Sequence, residues 1–546
     1  MAIKGYQLLV QSLLKQKVQD LFFLMGGPML DTASDCQASG IRMIDVRHEQ
    51  SAAMMAHAYA RLRGVPGVCM ACSGPGSINL TTGLANALID CAPVVALGGS
   101  SPVGQYGLGA FQEIDQLAIM RPVTKWAERV YEAKRIPEYV FRAFAEARSG
   151  KPGPVYLDLP GDVLHQEVDE ADVKWPKQSD EKFYAKPAAP AEALDRALEL
   201  LQTARKPVLL TGSGVLWSGA APELLRFVEA TGIPFYTTPQ GRGVIPEDHE
   251  FFYASARSTA FKDADLFIVV GTRLNYVFGF GRPPRLAANA RQIRIDIDPT
   301  EIANGTADLG IAGDAATVLR QLNAAIGPNL KASYAEWRAT LSAIELERQP
   351  KQEAKLANDQ VPIHPLRLCK EIRDFMDRDA ILVVDGQEIL NYGRQSLPSF
   401  VPGHRLNSGP LGTMGVGVPF GVGAKAAKPD KQVIVLEGDG AFGLNGMELD
   451  TAIRHKLPIL VVISLNGGWT ADPDGKKVGR HLGYTHYERM AEALGCHGEF
   501  VEDPAEIRPA LQRASEAVAR GQTALVNVVT DWRARAEAAG FTRFST

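Results

Sequence analysis

The residues with the clearest chemical potential lie near the C-terminal third. In "LEGDGAFG", Leu436–Gly443, one carboxylate, Asp439, stands between two glycines directly after the apolar run Val433–Leu436. Asn466 follows 27 residues later, after the apolar run "PILVVISL", and is itself followed by Gly467 and Gly468. One strand–helix–strand unit of this length brings Asp439 and Asn466 to neighbouring strand tips. Open α/β sheets bind ligands at those carboxyl ends. A carboxylate, an amide oxygen and a free glycine carbonyl suit a hard cation that keeps places for phosphate oxygens. The glycines let the backbone approach such a ligand closely. The expectation is Mg²⁺ at Asp439, Asn466 and Gly468, holding a diphosphate, with Gly440 in its cradle. A bare G-D-G turn is the alternative, and Asn466 at this spacing argues against it.

These residues need a scaffold, and the chain supplies one three times. The first segment carries short apolar runs that read as buried strands: "IRMIDV", "GVCMAC", "PVVALGG" and "PVYLDLP". Helical stretches such as "EQSAAMMAHAYARLR" lie between them. The second has "PVLLTGSG", "IPFYTT", "DLFIVVGTRL" and "IRIDID"; the third has "AILVVDG", "QVIVLEGDG", "PILVVISLNGG" and "ALVNVVT". Strands alternating with helices predict α/β domains with parallel sheets flanked by helices. The predicted boundaries are 1–174, 190–328 and 362–546. "WPKQSDEKFYAKPAAPAE" and "ERQPKQEAKLANDQVPIHP" read as connections. A length of 546 residues fits several domains of roughly 150 residues each.

The formal net charge of −4 argues against a nucleic-acid footprint, and no apolar run has the length of a membrane span. The six cysteines make no disulfide framework. Cys69 and Cys72, though spaced C-x-x-C, read as buried core thiols. The lysine- and glutamine-broken start is unlike a signal peptide, and the final "TRFST" is no peroxisomal address. The expected location is cytoplasmic.

"GDG" followed at this spacing by an Asn resembles the diphosphate signature of the thiamine diphosphate (ThDP) enzymes. The usual ending there is Asn-Asn, where this chain has Leu465-Asn466. The resemblance spans essentially the whole chain, with "SGPGSINLTTGLANAL" as a further family-like stretch. It implies pyrimidine, middle and diphosphate domains in that order, with ThDP and Mg²⁺ as cofactors. It also implies a glutamate on the cofactor's aminopyrimidine, matched by Glu49 in "DVRHEQSAAMMAHAYAR". A carboxyl there must be protonated to donate to the ring, which calls for burial; the bland alternative is a solvated acid at a helix start. In "SGPLGTMGVGVPFGVGAKAA", Met414 matches the residue that wedges between the two cofactor rings. Gln387, Thr413, Ala441 and Trp469 complete the implied cofactor contacts.

Within the family, "DLFIVVGTRLNYVFGFGRPPR" and "GAFQEIDQ" are similar to the 2-hydroxyacyl-CoA lyase branch. That likeness makes Gln112 and Glu113 candidates to orient the substrate hydroxyl or pass protons. It makes Arg273, Asp296 and Asp314 candidates for a nucleotide site of the ADP type. "GSGVLW" is only a lone G-x-G. The stretch after Asn466 looks like a bacterial subgroup associated with short or branched 2-hydroxyacyl-CoAs, such as 2-hydroxyisobutyryl-CoA. The implied reaction is reversible cleavage to formyl-CoA and a ketone or aldehyde. Oxalyl-CoA decarboxylase and a non-catalytic subunit of the same fold are the alternatives. The implied partners are an acyl-CoA and further copies of the chain, as homodimer or homotetramer, with no nucleic acid and no membrane.

Overall fold

The computed structural model describes residues 2–177, 186–303, 305–327 and 330–536. The final "TRFST" and part of the first connection lie outside them.

Nineteen strands form among the described residues, and most are the short apolar runs read from the sequence. A small antiparallel pair joins β1 (Ala2–Lys4) to β8 (Glu167–Asp169). The N-terminal sheet uses β2 (Asp20–Phe23), β3 (Arg42–Asp45), β4 (Gly67–Ala71), β5 (Val94–Ser100), β6 (Trp126–Arg129) and β7 (Val155–Pro160). All its pairs are parallel, in the order β3-β2-β4-β5-β7-β6. β4, β5 and β7 are buried along their whole length, as strands covered on both faces must be.

The middle sheet is β9 (Pro207–Thr211), β10 (Phe235–Thr237), β11 (Leu266–Val270), β12 (Arg291–Asp296) and β13 (Leu309–Ala312), parallel in the order β10-β9-β11-β12-β13. The C-terminal sheet is β14 (Ile381–Val384), β15 (Arg405–Asn407), β16 (Val433–Gly438), β17 (Leu460–Leu465), β18 (His497–Val501) and β19 (Ala524–Val529), ordered β15-β14-β16-β17-β19-β18. Counted within each sheet, both six-stranded sheets have the order 2-1-3-4-6-5.

Five strands of these sheets escaped the sequence reading: β2, β6, β13, β15 and β18. Four of them are sheet edges. An edge strand is half covered, so its run is short and mixed with polar residues, as in "HGEFV". The connection "ERQPKQEAKLANDQVPIHP" also needs correcting. Its first part is the end of a 22-residue helix, Ala335–Leu356, with Pro350 inside. Glu, Arg, Gln, Lys and Ala are good helix formers, and their polarity had made the stretch resemble a loop.

The described chain packs as two compact bodies. Among the described residues, one comprises those up to 177 with Ala380–Ile389 and Leu406–Trp532; the other comprises those from 186 to Asp379 with Leu390–Arg405 and 533–536. The first and last sheets thus share a body. Within it, the alanine-rich helix Glu49–Arg63 lies against the glycine-rich helix Gly417–Ala427. A Cβ on Gly423 would come within 2.4 Å of the Met55 carbonyl oxygen, so small residues set this approach. Among the described residues, no helix is long and apolar enough to cross a membrane. All six cysteines are free and buried.

Candidate active site

Asp439 opens the helix Asp439–Asn445 at the tip of β16. It is buried, at 2% exposure. Its Oδ1 accepts the N–H of Gly440 at 2.9 Å, while Oδ2 is buried with no hydrogen-bond partner. Burial pushes the carboxyl up to about 7, partly offset by nearby backbone N–H groups, that of Gly440 foremost. An orphaned carboxylate oxygen in a native interior calls for a cation or a proton. Asn466 stands at the tip of the adjacent strand β17, since β16 and β17 pair in register from Ile434–Leu460 to Gly438–Ser464. Its Oδ1 accepts the Gly468 N–H at 3.2 Å. Gly468 has φ +146°, and a Cβ there would strike the Arg480 carbonyl oxygen at 1.9 Å. Only glycine fits this turn.

These groups line a cavity open to solvent together with Gly386, Gln387, Met414, Gly438, Gly440, Ala441, Ser464, Trp469 and Thr470, among others. Gly440 lies under Trp469, whose ring carbons would be 2.8 Å from an added Cβ. Thr413 is not among the lining residues. The departure at Leu465 has a simple reading. Alternate residues of a strand face opposite ways, so Ser464 and Asn466 face the cavity while Leu465 is fully buried in the core.

The residues present fit a divalent cation carrying a diphosphate. Among the described residues no three His, Cys, Asp or Glu side chains cluster as a metal site. The cation's protein ligands would be the mixed oxygen set of Asp439, Asn466 and the Gly468 carbonyl, leaving places for phosphate oxygens.

Beneath the cavity lies a feature missed in the sequence. Asp385 and Glu437 are both buried, at 0% and 1% exposure, one residue before the lining glycines Gly386 and Gly438. Burial pushes Asp385 up to about 6, against N–H groups of Gly386 and Gly417. Burial and the Asp385 charge hold Glu437 well above the usual carboxylate range. The signal existed: "AILVVDG" ends in Asp-Gly after an apolar run, as "VIVLEGDG" does.

Glu49 stands at the start of its helix, with His48 as the cap accepting the Gln50 N–H. It is buried, at 7% exposure, which excludes a solvated helix-start acid. Asn79 Nδ2 donates to Glu49 Oε2 at 2.9 Å. The turn ahead of it is gripped from the C-terminal sheet's side: Arg47 and His48 N–H groups donate to Glu448 Oε1, each at 3.1 Å. Cys72 is beside Glu49, and burial, then the Glu49 charge, raises its thiol.

Gln112 adopts φ +58° and accepts from the Ser73 hydroxyl at 2.8 Å. Glu113 braces its own loop. Its carboxylate accepts the N–H groups of Gly107 at 2.5 Å and Ala110 at 2.8 Å, which hold it below the usual carboxylate range. So placed, its carboxylate serves as an acceptor within its own loop. Glu49, Gln112 and Glu113 are not among the residues lining the Asp439 cavity.

In the middle sheet, Arg273, Asp296 and Asp314 follow or end β11, β12 and β13, at neighbouring carboxyl tips. Asp314 is occupied as a helix cap. It accepts from Thr317 N at 3.0 Å and Ser218 Oγ at 2.8 Å, and Lys186 Nζ is 3.3 Å away. The lone G-x-G at 212–214 is filled by backbone: Gly214 N donates to Gly271 O at 2.9 Å, and a Cβ on Gly212 would meet Thr272 Oγ1 at 2.5 Å.

Parallel α/β sheets, with an orphaned carboxylate and an amide on adjacent strand tips around a glycine-lined cavity, are an arrangement suited to a diphosphate-bearing cofactor. The chain belongs to the thiamine pyrophosphate enzyme family. It matches that family's N-terminal TPP-binding domain over residues 3–119, its central domain over 194–322 and its C-terminal TPP-binding domain over 391–528. It is 35% identical to a 2-hydroxyacyl-CoA lyase of Arabidopsis thaliana, across 98% of this chain and 97% of the relative. It is 35% identical to an acetolactate synthase large subunit of Mycobacterium tuberculosis, across 96% and 95%. It is 32% identical to an oxalyl-CoA decarboxylase of Escherichia coli, across 99% and 97%.

Proposed function

We propose that this thiamine-pyrophosphate-family enzyme is a carbon–carbon lyase that reversibly cleaves a short or branched 2-hydroxyacyl-CoA to formyl-CoA and a ketone or aldehyde. The observation that carries the cofactor half is the orphaned Oδ2 of Asp439, a residue that lines one cavity with Asn466 and Gly468. The substrate half rests on "GAFQE" and "GTRLN…PPR" and on relatives named 2-hydroxyacyl-CoA lyase in plants and mammals.

Asp439, Asn466 and Gly468 would hold Mg²⁺ and through it the diphosphate. Met414, Gln387 and Trp469 would flank the rest of the cofactor. When bound, ThDP supplies the electron sink that lets a bond next to a carbonyl break. The chain's own work is placement. Glu49 would hydrogen-bond the aminopyrimidine, and Gln112 would orient the substrate hydroxyl. Because Glu49 is absent from the Asp439 cavity, our reading includes a two-fold dimer in which one copy's Glu49 completes the other's cavity. A nucleotide at Arg273, Asp296 and Asp314 would have to share Asp314 with its helix cap.

The test is turnover. The purified protein, with ThDP and Mg²⁺, is given 2-hydroxyisobutyryl-CoA, oxalyl-CoA or pyruvate. Formyl-CoA with acetone is the expected result. Formyl-CoA with CO₂ from oxalyl-CoA alone would replace the reading with the decarboxylase, and acetolactate from pyruvate with the synthase. Cofactor binding with no turnover of any of them would favour the non-catalytic subunit.

A further inference from the structure

Gln116 opens the short helix Gln116–Met120 behind the loop that carries Gln112, and is 1% exposed. Its Nε2 lies 2.7 Å from the Gly99 carbonyl oxygen, 2.7 Å from the Tyr156 hydroxyl and 2.6 Å from Asp158 Oδ1. Its Oε1 accepts the N–H of Gly74 at 3.0 Å. The other oxygen of Asp158 is gripped by Arg129, whose guanidinium stands 4.3 Å from the centre of the Tyr106 ring, early in the same loop.

Gly74 is the joint between this network and Gln112. It has φ +60°, and a Cβ there would come within 2.6 Å of the Gln112 carbonyl oxygen. Beside it, the Ser73 hydroxyl donates to Gln112 Oε1. Gln112 is itself in the left-handed region, a costly place for a residue with a Cβ, which persists only where its surroundings hold it. Residues 73 and 74 hold its side chain and pack on its backbone, and Gln116 holds Gly74.

We infer that Gln116 is a positioning residue: by fixing the 73–74 turn, it keeps Gln112 in its left-handed conformation and aims its amide. This rests on the proposed role of Gln112 at the substrate. An amide is required, because one side chain must both donate to Asp158 and Gly99 and accept from Gly74. A glutamate would set a second carboxylate against Asp158, and an apolar residue would leave the Gly74 N–H without its acceptor.

The test compares Gln116→Met, Gln112→Ala and the double variant, as full-length enzyme with ThDP and Mg²⁺. Gln116→Met is expected to lower kcat on 2-hydroxyisobutyryl-CoA by about 10- to 100-fold, the scale of a slight misplacement of a reacting group. KM should move little. Exchange of the thiazolium C2 proton should fall much less than kcat, because Glu49 is held by Asn79, at the far end of the short helix that Gly74 caps, and not by Gln116 itself. In the Gln112→Ala background the same change should add almost nothing, since coupled residues are non-additive. Amide hydrogen exchange in residues 102–115 should quicken. An unchanged kcat, or an undiminished loss in the Gln112→Ala background, overturns the inference. Should Gln116→Met fail to fold, Ser73→Ala cuts the last link while leaving the buried network intact; a lowered kcat supports the inference and a wild-type kcat overturns it. If the wild type turns over no acyl-CoA, the proposed function has failed separately. Loop hydrogen exchange then decides: faster exchange in Gln116→Met upholds the positioning, and unchanged exchange overturns it.

Discussion

The two six-stranded sheets share one strand order, and equivalent tips in them are built for different work. After the third strand, the C-terminal sheet presents Asp439, whereas the N-terminal sheet presents the Ser73–Gly74 turn. After the fourth strand come Asn466 in one and the Gln112 loop in the other. After the second strand come Met414 in one and Glu49 in the other. One half is a pocket of oxygen acceptors with an unmet demand for positive charge. The other is a set of amides and a buried acid already tied to one another. In our proposal the same topology divides the work: one sheet would grip a cation, and the other would place proton-handling and hydrogen-bonding groups. Glu49 and Gln112 do not line the Asp439 cavity, which is why we propose a working site made from two copies.

The strongest break in this comparison is Asp439→Ala. Binding of Mg²⁺ and ThDP is expected to vanish together, and turnover with it, because the metal bridges protein to diphosphate. The unloaded variant should be no less stable to heat than the unloaded wild type near pH 8, since it loses a buried carboxyl with an unmet oxygen. Titration calorimetry and thermal unfolding measure both. Unchanged cofactor affinity would remove Asp439 from the ligand set.

Glu49→Gln breaks the other half. The cofactor should still bind while kcat falls by about 10²–10⁴, the usual scale of lost general acid–base help. KM for the acyl-CoA should move little. Exchange of the thiazolium C2 proton into deuterated water reads the step directly, and wild-type exchange in this variant would leave Glu49 a purely structural acid.

Mixing these two inactive chains sharpens the comparison further. In a two-fold dimer whose sites join Glu49 of one copy to Asp439 of the other, every mixed dimer regains one intact site. Random assembly from equal amounts makes half the dimers mixed, so activity should return to about a quarter of wild type. Each copy completing its own site would give no recovery.

Much of this arrangement was legible in the sequence because it is local. An apolar run ending in G-D-G, and a second ending in Asn-Gly-Gly, fix Asp439, Asn466 and Gly468 by strand spacing alone. What stayed hidden depends on contacts between distant segments. Gln116 meets Gly74, Tyr156 and Asp158 from 40 or so residues away on either side, and no spacing rule announces that. Nor could the hydrogen bonds that Gly107 and Ala110 give Glu113 within its own loop be foreseen. The edge strands were too short and polar to show a period.

The smallest effect concerns the helix pair that holds the two sheets together. His57, on the helix Glu49–Arg63, is buried at 1% exposure, with its ring edge-on to Phe420 of the helix Gly417–Ala427 at 4.9 Å. Asn86 Nδ2 is 3.3 Å from its Nδ1, and Asp90 Oδ2 is 3.5 Å from its Nε2. Burial, with the Arg61 charge on the same helix, pushes the imidazole down to about 3; the attraction of Asp90 does not outweigh them. In the unfolded chain His57 takes its proton near its ordinary value of about 6.5. Between these limits the unfolded state holds a proton that the folded state refuses, so stability rises with pH and is lost as pH falls below about 6.5. The loss is at most about 1.4 kcal/mol per pH unit. His57→Gln keeps a neutral hydrogen-bonding group against Asn86 and removes the titration. It should unfold at a lower temperature than wild type at pH 7.5, through poorer packing on Phe420. Its midpoint should then fall less steeply between pH 6.5 and 4.5, so that the two curves converge. Parallel curves across that range would mean that His57 carries its proton in the folded protein, and that Asp90 rather than burial governs it.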